Sequence, residues 1–192
     1  DKGSGDPEMT SERLIAIREQ EERNAAAALG VHEVIFLRYP DGELQPSLDL
    51  RRDLVRFIRM KQPDIVVTCD PTVVYWQGGG INHTDHRAIG TAVLDAVYPT
   101  ARDRLNFIEQ ERDEGLATHK VKQVYLAGTK DPAVKIDVTA YIETKIAALR
   151  HHVSQIADME AMATRIRERT LDPHAPDDAP RHIEQFNVIK LG

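Results

Sequence analysis

Residues 63–90 read PDIVVTCDPTVVYWQGGGINHTDHRAIG, and this stretch decides the fold. It begins with an apolar, largely β-branched run from Asp64 to Cys69, which predicts a short buried strand. A loop that ends in three glycines follows, and then His83–His86 opens an apolar helical pattern that continues to Val97. Two imidazoles and a carboxylate therefore stand where the carboxyl end of a strand passes into a helix. This is where open α/β sheets bind ligands.

The composition of the whole chain is that of an ordinary globular protein. At 192 residues it suits one domain, residues 1–192, with a substantial core. The formal net charge of −6 argues against a nucleic-acid partner, and no apolar run approaches the ~20 residues that cross a bilayer. The single cysteine, Cys69, is expected to be a small buried hydrophobe, so a reducing cytoplasm is the simplest location.

Helices and strands alternate along most of the chain. Thr10 or Ser11 can cap a first helix that Gly30 ends, and Ser47 can cap a second helix that ends near Pro63. The helices are expected at residues 11–30, 47–63, 84–97, 139–156 and 159–169, and the strands at residues 33–38, 64–69, 122–127, 134–138 and 183–191. This alternation predicts an α/β layered, Rossmann-like fold with a mostly parallel sheet.

The His-x-x-His spacing does not by itself separate a metal site from capping or surface roles. Its position after a strand and a glycine-rich loop favours a site, because imidazole is the commonest metal-ligating side chain near neutral pH. A catalytic zinc ion needs three protein ligands and an open position for water. His86 can supply one ligand, and His83, one turn away, can face the same cavity without binding the metal.

Five segments together resemble the PIG-L/LmbE family of zinc-dependent N-deacetylases, which remove acetyl groups from amino-sugar conjugates. The segments are IREQEERNAAAALGV (Ile17–Val31), FLRYPDGEL (Phe36–Leu44), INHTDHRAIG (Ile81–Gly90), KIAALRHHVSQ (Lys145–Gln155) and the terminal EQFNVIKLG. The first three follow the family's order and spacing, with Thr84 where the family's motif usually has proline, and the last two look like its C-terminal portion. The resemblance implies a zinc cofactor and hydrolysis of the amide of a small N-acetylated amino-sugar substrate.

The resemblance also implies roles for the residues of the His-x-Asp-His motif. His86 would be a metal ligand. His83 would stabilise the tetrahedral intermediate or protonate the leaving amine, and Asp85 would orient His83 and tune its charge.

Two further residues match family positions that hold the sugar or its neighbourhood. They are Arg18, in an Arg-x-x-Glu pattern with Glu21, and Asp41. For Arg18 the alternative is an exposed helix charge paired with Glu21 at i,i+3. For Asp41 the alternative is plain turn chemistry before Gly42.

One family motif is missing from the sequence. Ala-His-Pro-Asp-Asp, which would supply two metal ligands and the general base, does not occur. His174–Asp178 (HAPDD) looks similar, but it follows no predicted strand and we interpret it as a loop. Asp1–Ser4 resembles the loop after the family's second strand, so we expect that an N-terminal segment with its strand is missing from this chain. The chain alone is then expected to bind zinc poorly and to turn over little.

Two other functions stay open on the sequence. One is a metal-free binding or assembly module on the same fold. The other is a nucleotide-binding α/β domain, although neither a Gly-x-Gly-x-x-Gly nor a Walker pattern occurs. Tyr75 and Trp76 can either close over a substrate or anchor the loop before the glycines.

The predicted helix over residues 139–156 carries the cleanest apolar stripe of the chain, with Ile142 and Ile146 among its members. Together with the resemblance, this stripe suggests a homo-oligomer. His151 and His152 lie beside the stripe and are expected to face solvent or another subunit rather than a metal ion.

Overall fold

Six α-helices and four strands are assigned in the computed structural model, which describes residues 1–76, 78–176 and 178–192. The helices are α1 (Ser11–Ala28), α2 (Leu48–Lys61), α3 (Thr84–Val97), α4 (Ile108–Arg112), α5 (Ile142–Leu149) and α6 (Met159–Thr170), and the strands are β1 (Ile65–Cys69), β2 (Gln123–Ala127), β3 (Val134–Asp137) and β4 (Ile183–Lys190). The chain divides into a helical unit, Asp1–Asp41 with Ile136–Glu184, and a sheet unit, Gly42–Lys135 with Gln185–Gly192.

The sheet unit is built around β1 and β2, which run parallel with Ile65 opposite Gln123. A parallel pair needs a long crossover connection, and the chain between these strands contains α3, which packs against β1. α2 lies against α3 in turn. The core between these elements consists of small and branched apolar side chains: Val55, Ile58, Val93, Ala96, Val97, Ala101, Val121, Val124 and Leu126.

The α/β class is confirmed, but the sheet is mixed rather than mostly parallel. The strand order is β1-β2-β4-β3, and β4 is antiparallel to β2, with Gln123 opposite Lys190. The parallel prediction rested on alternating helices and strands. That alternation breaks after β2, because only residues 128–133 separate it from β3, too few for a crossover helix.

β1 is a half-exposed edge strand and not the buried strand that its composition predicts. It lies at one end of the strand order, and Ile65 and Val67 are 50% and 61% exposed, whereas Thr68 is buried. Successive side chains of a strand point to opposite faces. The apolar run therefore reflects one face packed on the core and one open face.

Gly90 allows α3 to lie close to the carboxyl end of β1. A Cβ atom at this position would collide with the carbonyl oxygen of Cys69 and would come within 3.1 Å of Pro71. Glycine costs about 1 kcal/mol relative to alanine inside a helix. Here it permits the close approach that brings the start of α3 beside the end of β1.

The helical unit packs α1 against α5 and α5 against α6. Its small core consists of Ile142, Ile146 and Ala163. The oxygen of Thr10 accepts a hydrogen bond from the backbone N–H of Arg13 and caps α1, as the sequence predicts. None of the helices assigned in the described residues is both long and apolar enough to span a membrane.

Two sequence predictions fail in the helical unit. Residues 33–38, predicted as a strand, pair with none of the four strands assigned in the described residues. A strand forms only where another strand satisfies its backbone groups. The helix predicted over residues 139–156 contains α5 but ends at Leu149, because the N–H groups of His151 and His152 bond three residues back, to Ala148 and Leu149, in turns.

Candidate functional site

His83 is the N-cap residue of α3 and caps it with its imidazole ring. The ring Nδ1 accepts a hydrogen bond of 3.2 Å from the backbone N–H of Asp85. A ring nitrogen that accepts a hydrogen bond carries no proton, so the proton of the neutral ring is on Nε2. The side chain is exposed. The imidazole of His83 thus caps α3 through Nδ1 and carries its N–H on Nε2.

Asp85 makes hydrogen bonds to the backbone of residues 42–44 in the sheet unit, in addition to its hydrogen bond with His83. Its carboxylate accepts hydrogen bonds from the N–H of Gly42 at 2.7 Å and from the N–H of Leu44 at 3.3 Å. A carboxylate oxygen of Asp85 and a ring nitrogen of His83 also lie within 4.8 Å of each other. Asp85 therefore orients His83 through its backbone, while its carboxylate ties residues 42–44 to the start of α3.

His86 lies one helical turn beyond His83. The two ring centroids are 5.5 Å apart with an angle of 47° between the rings, and both residues are exposed. An exposed imidazole at the start of a helix is accessible to a metal ion, and nitrogen of this type is a common zinc ligand. The structure therefore brings together the three motif residues on which the sequence hypothesis rests.

A short hairpin leads from β1 to His83. Tyr75 and Ile81 form an antiparallel bridge, and the N–H of Asn82 donates to the carbonyl of Val74 at 2.9 Å. The buried amide of Asn82 also donates to the carbonyl of Val73 at 2.8 Å. These bonds fix the residue that immediately precedes His83.

The two aromatic residues of this hairpin have different surroundings. Trp76 packs so close to Gly128 that a Cβ there would lie 3.3 Å from its ring, which supports the anchoring role. Tyr75 is 61% exposed, and the ammonium of Lys130 lies 4.4 Å from its ring centroid. Such a cation–π contact adds about 0.5–1 kcal/mol at an exposed site. Gln77, within the loop, lies outside the described residues.

The helical unit contains an open cleft of about 710 Å³ that Arg18 and Asp41 both line. A guanidinium N–H of Arg18 donates to the carbonyl of Lys2 at 2.7 Å. The N–H of Asp41 donates to Asp1 at 3.0 Å, and its carbonyl accepts from Lys2 at 2.7 Å. The two residues predicted to hold the substrate thus share one cleft, and Arg18 bonds to the N-terminal loop rather than forming the i,i+3 pair with Glu21.

Glu19 and Arg38, which line the same cleft, belong to a charge cluster around the buried Glu19 that could not be recognised in the sequence. Glu19 accepts two hydrogen bonds from Arg38, at 2.8 and 3.2 Å, and one from Arg23 at 3.2 Å. The bond from Arg38 is the main reason that the pKa of Glu19 lies below its usual value, and the same bond raises the pKa of Arg38. Arg38 adopts a positive φ of 57°, and its side chain reaches Glu19 on α1.

Three more polar side chains line the cleft: Glu22 on α1, and His152 and Gln155 in the turn after α5. The sequence prediction placed His152 toward solvent or a subunit. The structure adds that α5 ends at Leu149 and that the turn beyond it brings His152 to this open cleft. The HAPDD segment stays a predicted loop; its Asp177 lies outside the described residues.

The chain matches a known protein family. Residues 1–97 match the family described as PIG-L, GlcNAc-PI de-N-acetylase, and the chain belongs to this family. The resemblance stated from the sequence motifs is therefore confirmed.

The chain is also similar to individual deacetylases of this family. The chain is 31% identical over 81% of its length to a diacetylchitobiose deacetylase of Thermococcus kodakarensis, and 29% identical over 79% to a probable N-acetyl-alpha-D-glucosaminyl L-malate deacetylase 2 of Bacillus anthracis. It spans 56% and 61% of the lengths of these two relatives. Among solved structures, the N,N'-diacetylchitobiose deacetylase from Pyrococcus horikoshii superimposes with a TM-score of 0.84 at 30% identity, over 98% of this chain and 68% of that one.

Proposed function

We propose that this chain forms part of a metal-dependent N-deacetylase that hydrolyses the acetamide group of an N-acetylated amino sugar. The observation that carries the proposal is the placement of His83, which caps α3 through Nδ1 and lies beside Asp85 and His86. The relatives named above are deacetylases of N-acetylated sugars. Because the chain spans little more than half of their length, the activity and substrate of the whole protein belong to the proposal, as does a single deacetylase domain over residues 1–192.

The reaction adds water across one amide bond. The water oxygen bonds to the acetyl carbon, the carbon–nitrogen bond breaks, and one water proton ends on the leaving amine while the other leaves with the acetic acid. Charge develops on the carbonyl oxygen in the tetrahedral intermediate, and a fixed donor at that oxygen stabilises it.

The Nε2–H group of His83 is a donor of this kind. A protonated His83 would carry hydrogens on both ring nitrogens and could not accept the N–H of Asp85. The capping bond therefore supports stabilisation of the intermediate by neutral His83 over proton delivery from its charged form. Asp85 is a positioning residue in this scheme, acting through its backbone N–H.

A zinc ion fits the donor chemistry of the motif, and we propose that His86 is one of its ligands. When bound, zinc polarises the carbonyl and lowers the pKa of water to ≈ 7. The Asp85 carboxylate already accepts two backbone hydrogen bonds. We therefore assign it to holding residues 42–44 and not to the metal.

The sugar is proposed to occupy the cleft of the helical unit. Arg18 and Asp41 line this cleft, and its wall also contains Phe36 and Tyr39. Ligand sites commonly combine apolar surface with a few polar groups that fix orientation. The mixed polar and apolar lining supports binding of a small polyhydroxyl compound, which has both hydroxyl groups and apolar C–H faces.

We also propose a cytoplasmic, homo-oligomeric protein. Cys69 is a free thiol, which suits a reducing compartment. Tyr141 and Val153, on either side of α5, expose apolar surface that a second subunit could cover.

The test is acetate release from N,N'-diacetylchitobiose by the purified full-length protein, since the chain alone is expected to turn over little. With zinc supplied, equal amounts of acetate and free amine are expected, and a chelator should abolish the release until zinc is restored. Sugar binding without acetate release at any zinc concentration would overturn the proposal and favour the metal-free binding module.

A further inference from the structure

Helix α1 and the turn after α5 each place one polar side chain at the cleft, and the proposed chemistry uses neither of them. We propose that His152 and Glu22 form a subsite for a hydroxyl group of the sugar and so determine which sugars the cleft accepts. This inference rests on the proposed function, because it names a contact with the substrate of the same reaction. It concerns binding and specificity, not the step at the amide.

Glu22 belongs to the face of α1 that borders the cleft. Ile15, Arg18 and Glu22 all line it, at the three- and four-residue spacings that share one side of a helix. Glu22 therefore lies one turn beyond Arg18, the residue already proposed to contact the sugar.

Hydrogen bonds hold the turn that carries His152. The backbone carbonyl of His152 accepts hydrogen bonds from the N–H groups of Gln155 and Ile156, at 3.1 and 3.0 Å. Ser154, which lies between His152 and Gln155, donates two hydrogen bonds to the buried carboxylate of Glu21. One comes from its backbone N–H, at 2.6 Å, and the other from its hydroxyl, at 2.7 Å. The turn is thus fastened to α1 at the residue before Glu22, and His152 has a defined position opposite it.

The separation of the two side chains suits a bridging hydroxyl. Nε2 of His152 and a carboxylate oxygen of Glu22 are 3.9 Å apart, too far for a direct hydrogen bond. A hydroxyl oxygen about 2.8 Å from both atoms can donate its proton to the carboxylate and accept the N–H of the imidazole. The His152 side chain is 20% exposed, so this space is open to a ligand but partly shielded from solvent.

The charge of Glu22 favours a neutral sugar at this position. A carboxylate accepts hydrogen bonds and cannot donate them when ionised, so it attracts a hydroxyl and repels an anionic substituent. Gln155 lines the cleft beside His152 and offers both a donor and an acceptor. The subsite is therefore expected to select uncharged polyhydroxyl groups over acidic ones.

His151 provides a matched control for His152. It is the adjacent residue of the same type, it is exposed, and it is not among the residues that line the cleft. The test compares His152→Ala, Glu22→Gln and His151→Ala in the zinc-loaded protein, with N,N'-diacetylchitobiose as substrate. His152→Gln serves as a second variant, because its amide can donate a hydrogen bond in place of the imidazole.

Loss of the subsite should raise KM roughly tenfold for His152→Ala and Glu22→Gln while kcat stays within about twofold, since a contact made equally in ground and transition states changes KM alone. His152→Gln should recover part of the loss, and His151→Ala should match wild type. Unchanged KM, or a fall in kcat at unchanged KM, in a folded His152→Ala variant would overturn the subsite.

Binding of N-acetylglucosamine, followed by NMR, separates failure of this inference from failure of the proposed function. If wild type releases no acetate but binds the sugar, and His152→Ala weakens binding roughly tenfold while His151→Ala does not, the subsite stands and the deacetylase proposal falls. If all variants bind the sugar as wild type does, the subsite is overturned whatever the activity.

Discussion

The buried carboxylate of Glu21 is joined to Ser154 by two hydrogen bonds, although 133 positions separate the residues along the chain. One bond comes from the backbone N–H of Ser154 and the other from its hydroxyl. Hydrogen bonds to charged groups contribute more than those between neutral groups, about 1.5–3 kcal/mol each. This contact is therefore a principal tie between α1 and the turn after α5.

Replacing Glu21 by Gln should destabilise the protein by about 2 kcal/mol, because the amide cannot accept both N–H and O–H with the strength of a carboxylate. Ser154→Ala removes only the hydroxyl bond and should cost about 1 kcal/mol. The measurement is urea unfolding of both variants and the double variant, which gives the coupling between the residues. Glu168→Gln, at an exposed position of α6, should change stability by less than about 0.5 kcal/mol. Equal stabilities of the Glu21 and Glu168 variants would show that the contact contributes nothing.

This contact also marks a limit of sequence-based prediction. α1 and α2 could be predicted because their N-caps, Thr10 and Ser47, and their apolar spacing are local signals. The end of α5 could not be predicted, because the apolar stripe continues to Val153, whereas the turn there is fixed by the distant Glu21. The place of His152 in the cleft depends on that turn.

The strands and the site residues also differ in how far the sequence predicts them. The His83–His86 motif could be recognised because its residues are neighbours in sequence, at a strand-to-helix junction that composition predicts. The exposure of β1 and the failure of residues 33–38 to form a strand depend on which strands lie alongside them. Propensity carries no information about such partners. The Glu19–Arg38 pair was missed for the same reason.

Arg59 should tolerate no replacement, even by lysine. It is almost fully buried, and its guanidinium donates to backbone carbonyls of Thr100, Ala101, Asp103, Asn106 and Phe107 and to the side chain of Gln110. Burial lowers its pKa. Lysine has three donors on one compact group and would leave several buried carbonyls without partners.

We expect Arg59→Lys to lower the free energy of unfolding by about 3 kcal/mol in a urea titration. Arg104→Lys is the control, because Arg104 is exposed and pairs with Glu111 at 2.7 Å on the surface, where an ion pair contributes at most about 1 kcal/mol. A loss of stability no larger than that of the control would mean that the carbonyls find other partners.

Asp70 should make stability depend on pH below neutrality. Burial alone would raise its pKa, but hydrogen bonds from the hydroxyl and N–H of Thr72, at 2.6 and 2.9 Å, and from Thr129 bring the pKa below its ordinary value. A carboxylate with a lowered folded-state pKa stabilises the protein above its unfolded-state pKa, about 3.9. This contribution is lost as the pH falls through the folded-state value.

The stability difference between wild type and Asp70→Asn should therefore be largest near pH 7 and shrink below about pH 4. Urea unfolding at a series of pH values from 7 to 3 measures it. Thr72→Val, which removes the hydroxyl but keeps the N–H, should show a smaller pH dependence than wild type. A difference between wild type and Asp70→Asn that is constant across the series would contradict the assignment.

Gly90→Ala tests the close approach of α3 to β1. Alanine normally stabilises a helix interior relative to glycine, but here its methyl group would collide with the carbonyl of Cys69. A forced backbone shift of this kind costs about 1–3 kcal/mol. Gly5→Ala, where nothing lies within 4 Å of the added atom, should stay near wild type. Thermal unfolding of the two variants decides the point, and a stabilised Gly90→Ala protein would refute the packing.

The two histidines of the motif should separate metal binding from catalysis. In the full-length protein, His86→Ala should remove zinc after dialysis, because the ring is the proposed ligand. His83→Asn should retain zinc, since asparagine caps a helix as well as any residue. Its turnover should nevertheless fall roughly 10²–10³-fold through loss of the donor to the carbonyl oxygen. Elemental analysis for zinc and acetate release from N,N'-diacetylchitobiose provide the two readouts. Equal zinc content in wild type and His86→Ala would refute the ligand assignment, and full turnover by His83→Asn would refute the role of Nε2, because the capping group and the helix are preserved in that variant.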